Sequence, residues 1–278
     1  MAASATAGSV REALGGATDA LRAAGVESPR LDAEVLLAEA VECERARLVV
    51  DSEAGVPAAA GRRFGEMVRR RLRREPVAYI LGRKGFRRIE LAVDRRVLVP
   101  RPETELLVEL ALELKPRRVL DVGTGSGAVA LAIADELRGC GMTATDTSAA
   151  ALEVARANAE RLGLAARVDF IEAMLPPERL RFDLLLANLP YVSEEEWGSL
   201  APEVTEWEPR EALLAGPDGL DAIRSLVAVA RDVAPVIALE VGVGQAPAVA
   251  ELLLDAGFGE VETRPDLAGI PRVVKGSQ

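Results

Sequence analysis

Histidine is absent from the 278 residues of the sequence. Its absence removes serine–histidine–aspartate and cysteine–histidine nucleophilic sites and histidine-ligated zinc, since each needs an imidazole as base or ligand. Cysteine is almost missing. Cys43 and Cys140 lie far apart with no metal-ligand spacing, so free buried thiols are expected rather than a disulfide framework. No window of eighteen uncharged apolar residues occurs, and the longest candidate, from Leu226 to Val243, is broken by Arg231, Asp232 and Glu240. A membrane-spanning helix is therefore excluded. Met1 to Gly8 shows no basic stretch leading into an apolar one, so neither a signal peptide nor an anchor is expected, and the chain reads as cytoplasmic. Any chemistry must run on carboxylates, amides, hydroxyls, aromatic rings or a bound cofactor.

What is present is a globular balance: 49% hydrophobic and 28% charged residues, with length enough for one to two domains. The net charge of -10 is uneven, with 14 Lys and Arg against 12 Asp and Glu through residue 85 and 20 against 32 beyond it. An acidic larger part argues against stable nucleic-acid binding, which depends on neutralising phosphates. The one dense basic run, Arg69, Arg70, Arg71, Arg73 and Arg74, reads as a solvated helix end with its cations near the C-terminus, with a docking surface as the alternative.

Residues 1–75 read as a small helical domain. Val10, Leu14, Ala17 and Leu21 recur at helical spacing; Ser28-Pro29 opens a helix with Leu31, Val35 and Ala38 inward; Phe64, Met67, Val68 and Leu72 form a third apolar stripe after a connection marked by Gly55, Pro57 and Gly61. Residues 76–100 read as a hairpin linker, because Ile89, Leu91 and Val93 alternate with polar residues before Val97-Leu98-Val99. From residue 101 to 278 strand and helix signals alternate, beginning with Arg118–Val122, Ser126–Leu137, Met142–Asp146, Ser148–Leu162 and Val168–Ile171. This is the pattern of an α/β domain with a mostly parallel sheet covered by helices.

The turn after the first of these strands reads Asp121-Val122-Gly123-Thr124-Gly125-Ser126-Gly127, and Asp146 ends the next strand 21 residues beyond Gly125. Glycines let backbone approach a ligand, and a strand-end carboxylate can accept hydrogen bonds from a ribose diol. Gly123, Gly125 and Ala128 also satisfy the looser dinucleotide form, so NAD remains open beside S-adenosylmethionine. Asp121 favours the second, because a carboxylate repels a pyrophosphate and tolerates a sulfonium. Further on, the apolar run Asp183–Leu186 closes in Ala187-Asn188-Leu189-Pro190-Tyr191. On the same sheet edge, the Asn188 side-chain oxygen and the Leu189 carbonyl can each accept an N–H from an incoming amide or exocyclic amine while Tyr191 packs on its planar group.

Several segments together resemble the HemK/PrmC protein-glutamine N5-methyltransferases. They are Ser28 to Glu34, Pro76 to Gly82, Leu98 to Glu105 with Pro100-Arg101-Pro102-Glu103-Thr104-Glu105, and Asp121 to Gly127. Further along come Glu208-Pro209-Arg210, Gly216 to Leu220, Glu240-Val241-Gly242 with Gln245, and Arg272. The resemblance implies a Rossmann-like class I S-adenosylmethionine-dependent methyltransferase. It would act as a monomer on the glutamine of the Gly-Gly-Gln motif in peptide chain release factors, with the N-terminal helices helping to grip that partner. By motif, Asp121, Gly123, Thr124, Gly125, Gly127, Asp146 and Asn188 hold the cofactor; Asn188, Pro190 and Tyr191 frame the glutamine; Leu189, Arg101, Glu103, Glu208 and Arg210 surround the acceptor.

Two departures stand out. The family usually has Asn-Pro-Pro-Tyr, and Leu189 here forfeits a fixed φ. Asn-Leu-Pro-Tyr also resembles ribosomal RNA adenine dimethyltransferases. Ala173-Met174 stands where the family places Gly-Asp or a similar acidic pair, which removes a carboxylate contact to adenine unless Glu172 supplies it. N6-adenine methylation of RNA or DNA, or a catalytically weak cofactor-binding interaction module, are the competing readings.

Overall fold

The structure, a computed structural model, describes residues 6–175 and 180–278. Residues 1–5 of the Met1–Gly8 stretch read above for a leader lie outside the described residues. The chain divides into two compact units, Met1–Gly82 and Arg83–Gln278.

The first unit contains α1 (Val10–Ala23), α2 (Pro29–Val41), α3 (Arg45–Val50), α4 (Ala58–Leu72) and α5 (Val77–Leu81). A short antiparallel pair, β1 (Thr6–Ser9) with β2 (Gly55–Pro57), closes it. Ser9 caps α1 through a reciprocal box with Glu12, which satisfies donors that the first helical turn leaves unpaired. Val10, Leu14, Ala17 and Leu21 are buried as their spacing predicts, and join Leu36, Leu37, Leu48, Phe64 and Ile80 in one core.

Four local expectations change here. Leu31 is exposed and Val35 only half-buried, because α2 turns Ala33, Leu36, Leu37 and Ala40 inward instead. Gly55–Pro57 is a strand rather than a plain connection, and Gly61 lies inside α4. Val77–Leu81 is helical, stopped by Gly82 in the left-handed region at φ 70°. Finally, the arginine run is a solvated helix end only in part: Arg69 and Arg73 are exposed, and the other three are engaged. Arg71 is 6% exposed and pairs with Asp32 at 2.7 Å; Arg70 pairs with Glu75 at 2.6 Å; Arg74 donates to the carbonyls of Ala24 and Gly25. Arg70 and Arg71 lie in the last turn of α4, where their charge also suits the helix dipole.

The second unit opens with a hairpin, β3 (Arg83–Phe86) and β4 (Ile89–Ala92). The series α6 (Glu105–Leu114), β5 (Arg118–Val122), α7 (Ala128–Glu136), β6 (Gly141–Asp146), α8 (Ala149–Arg161), β7 (Val168–Glu172) and β8 (Leu184–Ala187) follows. Two short helices, α9 (Glu194–Trp197) and α10 (Pro202–Thr205), precede α11 (Asp221–Val233), β9 (Val236–Glu240), α12 (Ala246–Asp255), β10 (Glu260–Pro265) and β11 (Pro271–Ser277). The seven-stranded sheet has the order β10-β11-β9-β8-β5-β6-β7, with β11 antiparallel to both its neighbours, β10 and β9, and the other pairs parallel. β5 and β8 are buried along nearly their whole length, as parallel strands covered on both faces must be.

The chain runs outward from β5 through β6 to β7, then returns to lay β8 on the other side of β5. That reversal opens a crevice at the carboxyl ends of the two strands. Val122 pairs with Ala187, so the glycine turn and Asn188 emerge side by side at that point.

Candidate active site

The glycine turn is shaped by its own hydrogen bonds. Gly123, Gly125 and Gly127 take φ values of 74°, 55° and 83°, a region side chains with a Cβ rarely enter. The amides of Gly123 and Thr124 both donate to the Thr145 carbonyl at 2.9 Å, that of Gly125 to Asp146 Oδ2 at 2.9 Å, and that of Gly127 to the Thr124 carbonyl. Four amides of the turn are thus already satisfied internally. Asp146 ties the turn to the next helix, since Oδ1 accepts from the Ser148 amide at 2.9 Å. Asp121 is 2% exposed and accepts through Oδ2 from the Thr124 hydroxyl at 2.7 Å and the Ala130 amide at 3.2 Å. Burial pushes its carboxyl up to about 6, against the lowering effect of those two donors.

A cleft enclosing about 1080 Å³ of empty space, its open mouth included, runs from this turn to the acceptor loop. Asp121, Gly123, Thr124, Gly125 and Asp146 line one end; Arg101, Thr104, Asn188, Leu189 and Pro190 line the other. Gly127 does not face it; a Cβ there would meet Leu131 and Ala155, so this glycine serves close helix packing. Ala173 and Met174 line the cleft, whereas Glu172 is exposed and does not. The carboxylate expected from Glu172 is therefore not delivered, because the strand alternation of β7 turns it away. Thr145 Oγ1 instead anchors the Met174 carbonyl at 3.0 Å, holding this wall in place.

The acceptor loop is fixed from three sides. Asn188 Nδ2 donates to Thr104 Oγ1 at 3.1 Å, and its Oδ1 has no donor among the described residues. Leu189 is 9% exposed and packs into the sheet core, and a Cβ on Gly123 would lie 3.1 Å from its Cδ2. Side-chain burial here supplies the rigidity that proline's ring would otherwise give.

Tyr191 does not line the cleft. Its hydroxyl reaches Glu240 Oε1 at 3.5 Å, and its carbonyl accepts from Gln245 Nε2 at 2.9 Å. Gly219 and Gly242 leave room for this arrangement, since a Cβ on the first would strike the Tyr191 carbonyl and on the second would meet Gln245 and the Tyr191 ring. Burial raises the Tyr191 hydroxyl above its ordinary range.

The remaining candidates divide. Arg101 faces the cleft and pairs with Glu208 at 2.7 Å; Glu208 is 6% exposed and supports the arginine rather than lining the cleft. Burial raises the Glu208 carboxyl, with Arg101 opposing. Glu103 does not line the cleft, and Arg210 stacks over Trp197, 5.1 Å from the ring centroid.

Two groups escaped the assignment of roles from sequence. Thr104 sat unremarked in a helix start, and Glu240 within a family motif. Glu240 is 2% exposed, and burial pushes its carboxyl up to about 7. A charged residue closing an apolar strand was the one signal available.

Among the described residues no group of His, Cys, Asp and Glu could hold a metal ion, and no helix is long and apolar enough to cross a membrane. The catalytic domain of hMettl16 in complex with a MAT2A hairpin shares the fold at a TM-score of 0.58, with 15% identity over 72% of this chain and 78% of that one. The PrmC N-terminal domain family matches residues 12–82, and the methyltransferase small domain family matches residues 102–204. The release factor glutamine methyltransferase of Moorella thermoacetica is 42% identical over 95% of this chain and 96% of its own. That of Rhodopirellula baltica is 41% identical over 92% of each. The near-complete coverage at this identity, together with the fold and the cleft, places the chain in the family of S-adenosylmethionine-dependent release factor glutamine methyltransferases.

Proposed function

We propose that the chain transfers a methyl group from S-adenosylmethionine to the side-chain amide nitrogen of a release-factor glutamine, with the cofactor at the glycine-turn end of the cleft and the glutamine at the Asn188 end. The observation that carries this is the unused Asn188 Oδ1 in a cleft continuous with the glycine turn. Internally satisfied turn amides and a wall of Val129, Ala151, Ala173 and Met174 fit a nucleoside and sulfonium better than a pyrophosphate. Both carboxylates line the cleft, and we assign Asp146 to the ribose hydroxyls and Asp121 to the cationic end. S-adenosylmethionine supplies, when bound, an electrophilic methyl carbon on a sulfonium leaving group.

The protein's own task is to make an amide nitrogen attack. Its lone pair is delocalised into the carbonyl, so the nitrogen must be held with that pair on the transfer line. Asn188 Oδ1 accepts one N–H of the glutamine amide and stabilises the positive charge that grows on nitrogen. No general base within the chain is needed, because the methylated nitrogen is strongly acidic and loses its proton to water after transfer. Arg101, held by Glu208, bounds the acceptor end. The unit carrying the PrmC N-terminal domain match, residues 12–82, is read as the part that grips the release factor.

The reading is tested by incubating the protein with methyl-labelled S-adenosylmethionine and either release factor or total RNA. Label in the glutamine of the factor is expected; label in RNA alone supports the adenine reading, and label in neither supports a binding module.

A further inference from the structure

Methyl transfer to a glutamine needs the oxygens of the acceptor loop held still, and the inference rests on that reading. Asn188 Oδ1 belongs to a side chain seated by Thr104, whereas the Leu189 carbonyl is backbone, and among the described residues no donor reaches it. Its direction depends on how the chain is held on either side. Upstream, Ala187 lies in the parallel ladder between Val122 and Leu239. Downstream, Pro190 locks its own φ and presses Leu189 toward the extended region. The soft torsions left between the Leu189 and Tyr191 carbonyls are Pro190 ψ and the φ and ψ of Tyr191. Holding the Tyr191 carbonyl therefore aims the loop.

The peptide between Tyr191 and Val192 is held on both sides. Its N–H donates to the Leu213 carbonyl at 2.8 Å, and its C=O accepts from Gln245 Nε2 at 2.9 Å. With one of these bonds the peptide pivots; with both it is pinned. Gln245 is the N-terminal cap residue of α12, its amide donates to the Gly242 carbonyl at 3.2 Å, and its Oε1 accepts from the Gly242 amide at 2.9 Å. A backbone donor on one side and a backbone carbonyl on the other suit a side-chain amide in one seating, since a carboxylate offers only acceptors and an ammonium only donors. The bond to Gly242 closes the turn that starts α12. The bond to Tyr191 reaches 54 residues back along the chain and does nothing for that helix.

Glycines make room for the arrangement. Gly219 sits at φ 75°, and a Cβ on it would come within 2.3 Å of the Tyr191 carbonyl oxygen and 2.8 Å of Gln245 Nε2. A Cβ on Gly242 would come within 2.9 Å of Gln245 Oε1 and 3.2 Å of the Tyr191 ring. Two backbone segments thus close over the amide, which limits replacement of its bond to Tyr191 by water.

We propose that Gln245 is a positioning residue for the transfer: its Nε2 holds the Tyr191 carbonyl, and through Pro190 that hold aims the Leu189 carbonyl and Asn188 at the acceptor nitrogen.

The test compares Gln245→Glu, Gln245→Lys and Gln245→Met in the full chain. For each, kcat and KM on release factor, S-adenosylmethionine affinity by calorimetry, and thermal unfolding are measured. The carboxylate of Gln245→Glu keeps an acceptor for Gly242 but turns a lone pair on the Tyr191 carbonyl; the ammonium of Gln245→Lys keeps a donor for Tyr191 and loses the bond to Gly242. Gln245→Glu should lower kcat about tenfold or more, with KM and cofactor affinity changed less than about twofold, as when an aligned group is displaced. Gln245→Lys should keep kcat within about threefold of wild type while unfolding earlier, because it leaves the Gly242 amide unpaired. A role confined to supporting α12 predicts the reverse order. Gln245→Met, uncharged and able to make neither bond, should lose kcat about as Gln245→Glu does, and it keeps the question answerable if a charged variant folds poorly. Wild-type kcat in Gln245→Glu or Gln245→Met, Gln245→Lys as slow as Gln245→Glu, or a loss of kcat matched by an equal loss of cofactor affinity overturns the proposal. A wild-type protein that labels no release factor overturns the methyl-transfer reading itself, which the ranking of variants does not touch.

Discussion

At the scale of single residues, the claim concentrates on Asn188 and the side chains that seat it. Asn188→Ala should lose about 2–4 kcal/mol of transition-state stabilisation, the range for a preorganised polar group at a developing charge. Cofactor should still bind by calorimetry, and a variant with wild-type turnover would remove the residue from the chemistry. Leu189→Ala should destabilise the second unit by about 2–3 kcal/mol in denaturant titration, since it empties a buried site against Gly123. Asn188, Leu189 and Asp146 were legible as sequence because strand ends, glycine spacing and short polar motifs are local. Glu240 and Thr104 were not assigned roles. Their partners lie 49 and 84 residues away, and no local pattern records such a meeting.

At the scale of elements, the glycine turn, the acceptor loop and the start of α6 behave as one assembly at the switch between β5 and β8. Asn158 shows how remote the supports are. It is fully buried in α8, exchanges hydrogen bonds with the Ala92 backbone at 2.7 and 3.0 Å, and donates to the Ser126 carbonyl at 2.9 Å, so one amide ties the hairpin to the glycine turn. The order of strands and helices from residue 117 to 187 followed from hydrophobic periodicity, whereas the elements beyond it were not read from sequence. The first unit was less legible: α2 is apolar nearly all round, which blurred the choice of inward face and left Leu31 exposed. The arginine run misled because charge density says nothing about long-range partners. Asp32→Ala should cost about 3 kcal/mol in the stability of the first unit, because it leaves Arg71 buried without its carboxylate. A change in denaturation midpoint near zero would return that run to the surface.

At the scale of the whole molecule, two buried carboxylates tune stability against pH. Burial raises Glu240 from 4.5 to about 7 and Asp121 from 3.8 to about 6. Folding therefore takes up protons at these sites, and the stability linked to them is full in acid and lost as pH rises through those values. For Glu240 the cost of burying the charge grows between about pH 4.5 and 7, toward roughly 3 kcal/mol at ~1.4 kcal/mol per pKa unit. Glu240→Gln should thus gain stability relative to wild type across that window in denaturation series, and a constant difference would show that Glu240 is charged throughout.

The fold, the family and the cleft converge on one reaction, and a single measurement tests it most directly. Release factor is incubated with the protein and methyl-labelled S-adenosylmethionine, digested, and the peptide bearing Gly-Gly-Gln is analysed by mass spectrometry. One methyl group on the side-chain nitrogen of that glutamine, formed far more slowly with Asn188→Ala, is the predicted result. An unmodified glutamine after complete exposure to active wild-type protein and cofactor would contradict it.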